Sequence, residues 1–236
     1  MTVPPGTKEV SEPVIKLENV RKVYEGKVPV EALRGVSLEV QRGDFVAVTG
    51  PSGSGKTTLL LIMSTLARPT SGKVFIDGVD VTRLNDSELA RLRNVKIGLV
   101  FQNYNLVERM SALENVELPL IARGVPKGER RRIAMEILEA LGLKDLAQKR
   151  PSEMSGGQQQ RVAIARTLAQ NPEIVLADEP TANLDSVNSK VVMETFLKAN
   201  KEFGRTVIIV THEPDVAAYA RKKIRMKDGK IESVES

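Results

Sequence analysis

Short apolar runs recur along the chain, and the spacing of their apolar residues separates two kinds of strand. Residues 15–20 and 36–40 alternate apolar and polar side chains, as strands with one buried face do. Other runs are apolar on both faces, which is typical of strands buried in a parallel sheet. These are residues 45–49, 97–101, 174–177 and 206–210. We expect an α/β fold in which an N-terminal antiparallel β subdomain accompanies a parallel core sheet.

The pattern changes from strands to helices between about residues 103 and 157. Ser111 and Glu114 have the spacing of a capping box, which predicts a helix start. A second helix is expected to begin near Pro126 and to end at Gly142. Its predicted apolar face consists of Ile133, Ile137 and Leu141. We interpret this segment as a helical subdomain inserted into the α/β core.

The composition is that of an ordinary globular protein, with 41% hydrophobic and 28% charged residues among 236. No run approaches the roughly 18 apolar residues of a membrane span. Residues 1–13 lack the apolar region of a signal peptide and are expected to form a flexible leader. The lack of cysteine excludes disulfides and thiolate metal sites, and these features together favour a cytoplasmic location.

The net charge of +5 is compatible with a nucleic-acid partner, but its distribution argues against one. The basic residues are dispersed along the chain, and only 3% of the residues are aromatic and able to stack on bases. A dispersed basic surface is more typical of solubility, or of affinity for a protein or an anionic membrane face. We therefore expect no nucleic acid among the partners.

The strongest chemical signal is the segment from Gly50 to Thr58, which fits the P-loop pattern G-x-x-x-x-G-K-[ST] between an apolar run and a helical run. Glycines let such a backbone wrap around a phosphate, and the following helix presents its positive end to the same anion. Lys56 is predicted to reach the β- and γ-phosphates of a nucleoside triphosphate, and the Thr57 hydroxyl to bind Mg²⁺. The other predicted nucleotide-binding residues here are Gly50, Ser52, Gly53, Ser54, Gly55 and Thr58.

Polar side chains stand at the carboxyl ends of three of the apolar runs, where ligands bind in open α/β sheets. Asp178 is predicted to hold Mg²⁺, and Glu179 to reach an attacking water as a general base. Gln102 is placed to contact the metal or the water. His212, the only histidine, is expected near the γ-phosphate. A single glutamine or histidine proves little alone, so these assignments depend on the set.

Two further features allow two interpretations each. Ser155, followed by Gly156 and Gly157, opens a helix and forms either a second anion-binding terminus or a plain serine N-cap. Tyr24 either stacks on a base or packs at the surface, and the sequence alone favours packing. Residue spacing does not decide between these alternatives.

The whole set strongly resembles the nucleotide-binding subunits of ATP-binding cassette (ABC) transporters, over about residues 14–234. Ser155, Gly156, Gly157 and Gln158 resemble the ABC signature, which other P-loop ATPases lack and a P-loop kinase would not explain. The remaining marks stand in the family's order: Tyr24 for adenine stacking, Gln102 of the Q-loop, Asp178 and Glu179 of Walker B, Asp185 of the D-loop and His212 as the switch histidine.

The resemblance implies a P-loop NTPase (RecA-like) core and one ABC ATPase domain over residues 14–236. Residues 14–102 and 158–236 would form the nucleotide-binding core, and residues 103–157 a helical insert with the signature at its end. It also implies ATP and Mg²⁺ as ligands and a second copy of the chain in a head-to-tail dimer around ATP. A separate integral membrane permease would hold the chain at the inner face of the cell membrane.

A finer resemblance suggests the kind of transporter. Residues 101–106, 114–120 and 158–160 resemble the lipoprotein-release and macrolide-export subfamily, which implies export or release of lipophilic or peptide-like cargo. One alternative is an ABC ATPase that drives a mechanical or regulatory membrane complex. Another is a soluble ABC ATPase acting on DNA or ribosomes, although such relatives usually carry a coiled coil, zinc-binding cysteines or a second cassette, which this sequence lacks.

Overall fold

The computed structural model describes residues 12–235, which form two β-sheets and seven α-helices. The flexible leader expected at residues 1–13 lies outside the described residues, apart from its last two positions. Within the described range, no helix is long and apolar enough to cross a membrane.

The first sheet is antiparallel and has the strand order β2-β1-β4-β5. Its strands are β1 (Ile15–Tyr24), β2 (Val30–Val40), β4 (Ser71–Ile76) and β5 (Val79–Asp80). Ile15 lies opposite Val40 on one side and Ile76 on the other, which fixes the central position of β1. This sheet is the antiparallel β subdomain that the alternating pattern predicts.

The second sheet has six strands in the order β10-β9-β3-β8-β7-β6. Its strands are β3 (Phe45–Thr49), β6 (Ile97–Val100), β7 (Ile174–Asp178), β8 (Thr206–Val210), β9 (Lys222–Lys227) and β10 (Lys230–Glu235). All neighbouring pairs are parallel except β9 and β10. The carboxyl ends of β3, β6, β7 and β8 therefore meet at one edge of the sheet.

The helices flank the core sheet. They are α1 (Lys56–Met63), α2 (Asp86–Lys96), α3 (Ala112–Ala122), α4 (Lys127–Ala140), α5 (Gly156–Ala169), α6 (Ser186–Lys201) and α7 (Pro214–Ala217). Helices α3, α4 and α5 pack on one another. The predicted α/β class, with antiparallel strands beside a parallel core sheet and added helices, is confirmed.

The predicted apolar face of α4 packs against the core, but the most buried line of the helix lies one position further along. Ala134 and Leu138 are the fully buried residues of this helix, whereas Ile133 and Ile137 are only partly buried. Leu141 is buried as predicted and stands three residues after Leu138. Because spacings of three and four residues define one helical face, the buried stripe runs through 134, 138 and 141, with the two isoleucines at its margin.

Two hydrophobic clusters cover the two faces of the core sheet. Phe45 and Ala47 of β3 belong to the cluster that includes α3, α4, α5 and α6. Val46 and Val48 belong to the cluster formed with α1 and the antiparallel sheet. The alternation along β3 shows why the run is apolar at every position: each face has its own core. The strand ends are thereby held rigidly.

Candidate active site

The P-loop connects β3 to α1 in a tight backbone path that requires glycine. Gly50 has φ 145°, and a Cβ there would lie 2.2 Å from the Met226 carbonyl oxygen. Gly55 has φ 98°, and a Cβ there would lie 2.5 Å from the Ala32 carbonyl oxygen. The loop thus packs directly against β2 and β9, with no room for side chains at these two positions.

Lys56 begins α1 and folds its side chain back over the loop. It is only 8% exposed, and its Nζ donates hydrogen bonds to the carbonyl oxygens of Gly50 (2.9 Å) and Pro51 (3.0 Å). In the described part of the chain, both of these hydrogen-bond acceptors are neutral, so the largely buried ammonium is incompletely compensated. Since charge-assisted hydrogen bonds are the stronger ones, the site favours an anion such as phosphate.

Thr57 and Asp178 come together at the edge of the sheet. Thr57 Oγ1 lies 3.5 Å from Asp178 Oδ1. Burial raises the pKa of the Asp178 carboxyl, and the charge of the neighbouring Glu179 raises it further. A cation is the counter-charge that keeps such a carboxyl ionised.

These oxygen donors fit Mg²⁺, which is typically held by one or two protein ligands together with substrate phosphates and water. The Mg²⁺ ligands predicted from the sequence, Thr57 and Asp178, are therefore close enough to share one ion. Gln102, the third, lies elsewhere.

Glu179 and His212 form a pair at the ends of β7 and β8. His212 Nδ1 lies 2.8 Å from Glu179 Oε1, and the hydrogen bond and charge of Glu179 raise the pKa of His212. Glu179 has a positive φ of 45°, and its backbone N–H donates to the Val210 carbonyl oxygen at 2.9 Å. A non-glycine residue in this region is strained and persists only where its surroundings hold it. These hydrogen bonds hold the Glu179 backbone and direct its carboxylate to the cavity beside the P-loop.

A cavity of about 790 Å³ joins these groups, and its size suits a nucleotide. Its walls include these predicted site residues: Tyr24, Ser52, Gly53, Gly55, Lys56, Thr57, Thr58, Glu179 and His212. Tyr24 is 40% exposed, so its ring offers a surface for stacking. Gly50 and Ser54 of the P-loop do not line the cavity, and Ser54 is buried beneath it.

The residues resembling the signature lie outside this cavity. Ser155 is the N-cap of α5: its Oγ accepts from the Gln158 N–H at 3.3 Å, and Gln158 Oε1 accepts from the Ser155 N–H at 3.0 Å. Ser155 thus has the contacts of a plain N-cap. Because its hydroxyl oxygen acts as the acceptor in this cap, the hydroxyl proton can still be donated to a ligand. Gly156 and Gly157 pack closely against their neighbours. A Cβ on Gly156 would lie 2.6 Å from the Tyr104 hydroxyl, and a Cβ on Gly157 would lie 2.5 Å from Asn188 Oδ1.

Gln102 and Asp185 are also placed away from the cavity of the P-loop. Gln102 Nε2 lies 3.4 Å from Asn183 Oδ1, in a separate surface cleft that Tyr104 also lines. Asp185 is the N-cap of α6, and its hydrogen bonds from Asn188 lower its pKa. One chain therefore brings together the P-loop, Asp178, Glu179, His212 and Tyr24, but not Gln102, Asp185 or the start of α5.

Sequence reasoning missed three residues of β2 in the cavity wall, Val30, Glu31 and Ala32. No motif marks them. The only signal is long-range strand pairing, since Val30 lies opposite Tyr24 in the antiparallel sheet. A predicted pairing of residues 15–24 with residues 30–40 would have placed them beside the tyrosine.

Comparisons with known proteins agree on one family. The sequence profile described as "ABC transporter" matches residues 33–182. An uncharacterized ABC transporter ATP-binding protein of Thermotoga maritima is 53% identical over 223 residues, which cover 94% of this chain and 95% of the relative. The lipoprotein-releasing system ATP-binding protein LolD of Aquifex aeolicus is 48% identical over 218 residues, covering 92% of this chain and 96% of LolD.

A longer relative and a solved structure add detail. The macrolide export ATP-binding/permease protein MacB of Syntrophobacter fumaroxidans is 52% identical over 93% of this chain, which spans only 31% of MacB. The cassette MJ0796 of Methanocaldococcus jannaschii, solved as a dimer in a post-hydrolysis state with ADP and Pi, matches with a TM-score of 0.85 and 47% identity. That match covers 94% of this chain and 98% of MJ0796.

Proposed function

Because this chain belongs to the ABC transporter family and is an ABC ATPase, we propose that it is the subunit whose ATP hydrolysis drives a separate membrane permease. The observation that carries this proposal is the single cavity that Lys56, Thr57, Glu179 and His212 share. Those groups supply an anion site, a metal-binding hydroxyl, a base and its hydrogen-bonding partner. The proposal assigns each of them a role in hydrolysis.

In the proposed ATP complex, the P-loop encloses the phosphates and Lys56 turns from its carbonyl partners to the β- and γ-phosphates. Tyr24 stacks on the adenine. Thr57 and Asp178 hold Mg²⁺, which neutralises phosphate charge when bound. Each assignment uses a side chain that already lies in or beside the cavity.

The proposed reaction is in-line attack of water on the γ-phosphate, with catalysis mainly by positioning and electrostatics. Glu179 accepts the proton of the attacking water. His212, held 2.8 Å from the Glu179 carboxylate, positions the base and contacts the γ-phosphate. Gln102 would sense Mg²⁺ and relay its presence to the membrane partner, which requires the Gln102 segment to move towards the cavity.

We propose that the site is completed by a second copy of the chain. The cavity lacks Ser155, Gly157 and Asp185, so a head-to-tail dimer would supply them to the ATP of the facing copy. The dimeric state of MJ0796, solved with ADP and Pi, supports the pairing of two copies. Closure would then depend on the γ-phosphate, and hydrolysis would open the dimer.

We further propose a permease docked near the helical insert of residues 103–157, which would hold the chain at the inner face of the membrane. The printed name of MacB, an ATP-binding/permease protein, supports a permease partner. A cleft of about 440 Å³ between α2, α3 and α5, with Arg93, Leu118 and Gln170 in its walls, lies in a suitable place.

For the cargo, similarity to LolD and MacB supports export or release of lipophilic or peptide-like molecules. The second candidate is mechanical: the same ATP cycle would move a membrane protein that signals or regulates. The two differ in the permease partner, and the ATPase site is the same in both.

A pull-down from detergent-solubilised cells tests the proposal. Tagged E179Q with ATP and Mg²⁺ should recover an integral membrane protein, because the variant is expected to remain in the ATP-bound dimer. The matched control K56A, which is expected to lose ATP, should recover much less of it. Recovery of ribosomes or DNA without a membrane protein would overturn the transporter proposal and leave the ATPase chemistry standing.

A further inference from the structure

Gln160, on α5, is a buried polar residue that the ATPase mechanism does not use. Its side chain is completely inaccessible, and its Nε2 donates to the Pro180 carbonyl oxygen at 2.9 Å and to the Phe101 carbonyl oxygen at 3.3 Å. Because two acceptors face the amide, only the NH₂ end fits there. Gln160 Oε1 is buried without a hydrogen-bond partner in the described part of the chain. Both donors are used while the acceptor is left unpaired.

The two carbonyl groups belong to the backbone beside two proposed site residues. Pro180 directly follows Glu179, and Phe101 directly precedes Gln102. Gln160 itself is five residues after Ser155, on the same helix. One side chain therefore joins the helix that begins at Ser155 to both segments.

The Pro180 contact matters because Glu179 has a strained backbone. Its φ of 45° is unfavourable for a residue with a side chain, and the following proline further restricts the backbone conformations open to Glu179. Such a conformation needs neighbours that fix it. Besides Gln160, the Val210 carbonyl accepts from the Glu179 N–H, and the Ala182 N–H donates to the Glu179 carbonyl at 3.3 Å. Glu213 also accepts from the Thr181 hydroxyl at 2.9 Å.

We propose that Gln160 is a positioning residue for hydrolysis: it holds the backbone that carries Glu179, and the strand end that carries Gln102, in register with α5. The inference rests on the proposed role of Glu179 as the base. Gln160 does not line the nucleotide cavity, so it acts on the reaction only through the segments that it joins. A displacement of α5 would move the Glu179 loop with it.

The test compares Q160M with T167V. Q160M keeps the length of the side chain but removes both donors, and kcat should fall by about tenfold or more, because small misplacements of a catalytic group are costly. KM for ATP should stay within about twofold, since the cavity wall is unchanged. Q160E, which places an acceptor against the Pro180 carbonyl, should lower kcat at least as much and serves if Q160M does not fold.

T167V is the matched control. Thr167 is also buried on α5, and its hydroxyl lies 3.0 Å from two carbonyl acceptors, Leu99 of β6 and Ala163 of α5. Neither acceptor belongs to the Glu179 loop. T167V should lower the melting temperature to a similar degree and leave kcat within about twofold, because the Thr167 contact reaches β6 and does not hold the Glu179 loop. If T167V and Q160M lower kcat equally, Gln160 has only a structural role.

A double-mutant cycle gives the sharper readout. In an E179Q background, Q160M should cause no further loss of the residual hydrolysis rate, since the group it positions is already gone. An undiminished, multiplicative loss would overturn the inference. If E179Q alone keeps near-normal turnover, the base assignment itself fails. If E179Q is inactive while Q160M keeps wild-type kcat, only the role of Gln160 fails.

Discussion

At the scale of single residues, the chemistry depends on two carboxylates in different surroundings. Asp178 is buried deeply enough for its pKa to be raised, which suits a ligand that meets a cation. Glu179, one residue later, turns through a strained backbone to meet His212. Adjacent residues of one strand end thus take the roles of proposed metal ligand and proposed base, because the backbone turn sends their side chains into different environments.

Replacing the proposed base tests that division of roles. E179Q keeps the shape of the side chain but cannot accept a proton, so turnover should fall roughly 10²- to 10⁴-fold, the usual contribution of a general base. ATP binding, measured by nucleotide titration, should persist because Lys56 and the P-loop are untouched. Near-normal turnover of E179Q would refute Glu179 as the base.

The lone histidine permits a direct measurement of the pair. Glu179 raises the pKa of His212, so the imidazole should hold its proton to higher pH in the wild type than in E179Q, whose neutral amide supplies no charge. A titration of the imidazole resonances by NMR needs no assignment, since the chain has 1 histidine. Equal pKa values in the two proteins would show that the contact does not form in solution.

At the scale of elements, the sequence predicted the features that depend on a few consecutive residues. The capping box at Ser111 and the apolar strand that ends at Asp178 follow from a few consecutive residues. The most buried positions of α4 and the start of β2 at Val30 were not predictable, because packing against α3 and pairing with β1 decide them. The contacts of Gln160 span 20 and 59 residues, and no sequence motif indicates them.

Two similar helix starts allow the effect of a capping serine on stability to be measured apart from its effect on hydrolysis. Ser111 and Ser155 are both N-caps with complete capping boxes, at α3 and α5. S111A and S155A should each lose about 0.5–2 kcal/mol of unfolding free energy, the usual cost of an N-cap serine. Denaturant unfolding measures that loss, and an ATPase assay separates the two variants.

Only S155A should also abolish hydrolysis, because the proposed dimer uses its hydroxyl on the facing ATP. Ser111 lies at a helix start with no proposed nucleotide contact, so S111A should keep wild-type turnover. If both variants keep it, Ser155 is a plain N-cap and the proposed role of the signature fails.

At the scale of the whole molecule, the arrangement of the elements leaves the site divided. The P-loop and the ends of β7 and β8 share one cavity, while the start of α5 packs against α6 and Tyr104 outside it. One chain carries both halves of the proposed site but does not bring them together. Two copies related by a twofold axis can do so twice, and in the proposed dimer association would be part of the chemistry.

Mixing two inactive variants tests whether the site is shared between copies. K56A lacks the phosphate-binding lysine and S155A lacks the signature hydroxyl, so each homodimer has two defective sites. In a K56A–S155A heterodimer, one site combines Lys56 of one copy with Ser155 of the other and is intact. If the copies pair at random and the sites act independently, ATPase activity should recover to about a quarter of the wild-type rate, since half the dimers carry one intact site of two.

Different tags on the two variants allow co-purification to verify that heterodimers form. The mixture of K56A with itself under a second tag controls for exchange alone and should stay inactive. Heterodimers without any recovered hydrolysis would mean either that Lys56 and Ser155 serve the same chain or that both sites must be intact at once. Size-exclusion chromatography of the mixture, with and without ATP, separates these cases. One intact shared site should still hold the two copies together with ATP, whereas a site within one chain should not.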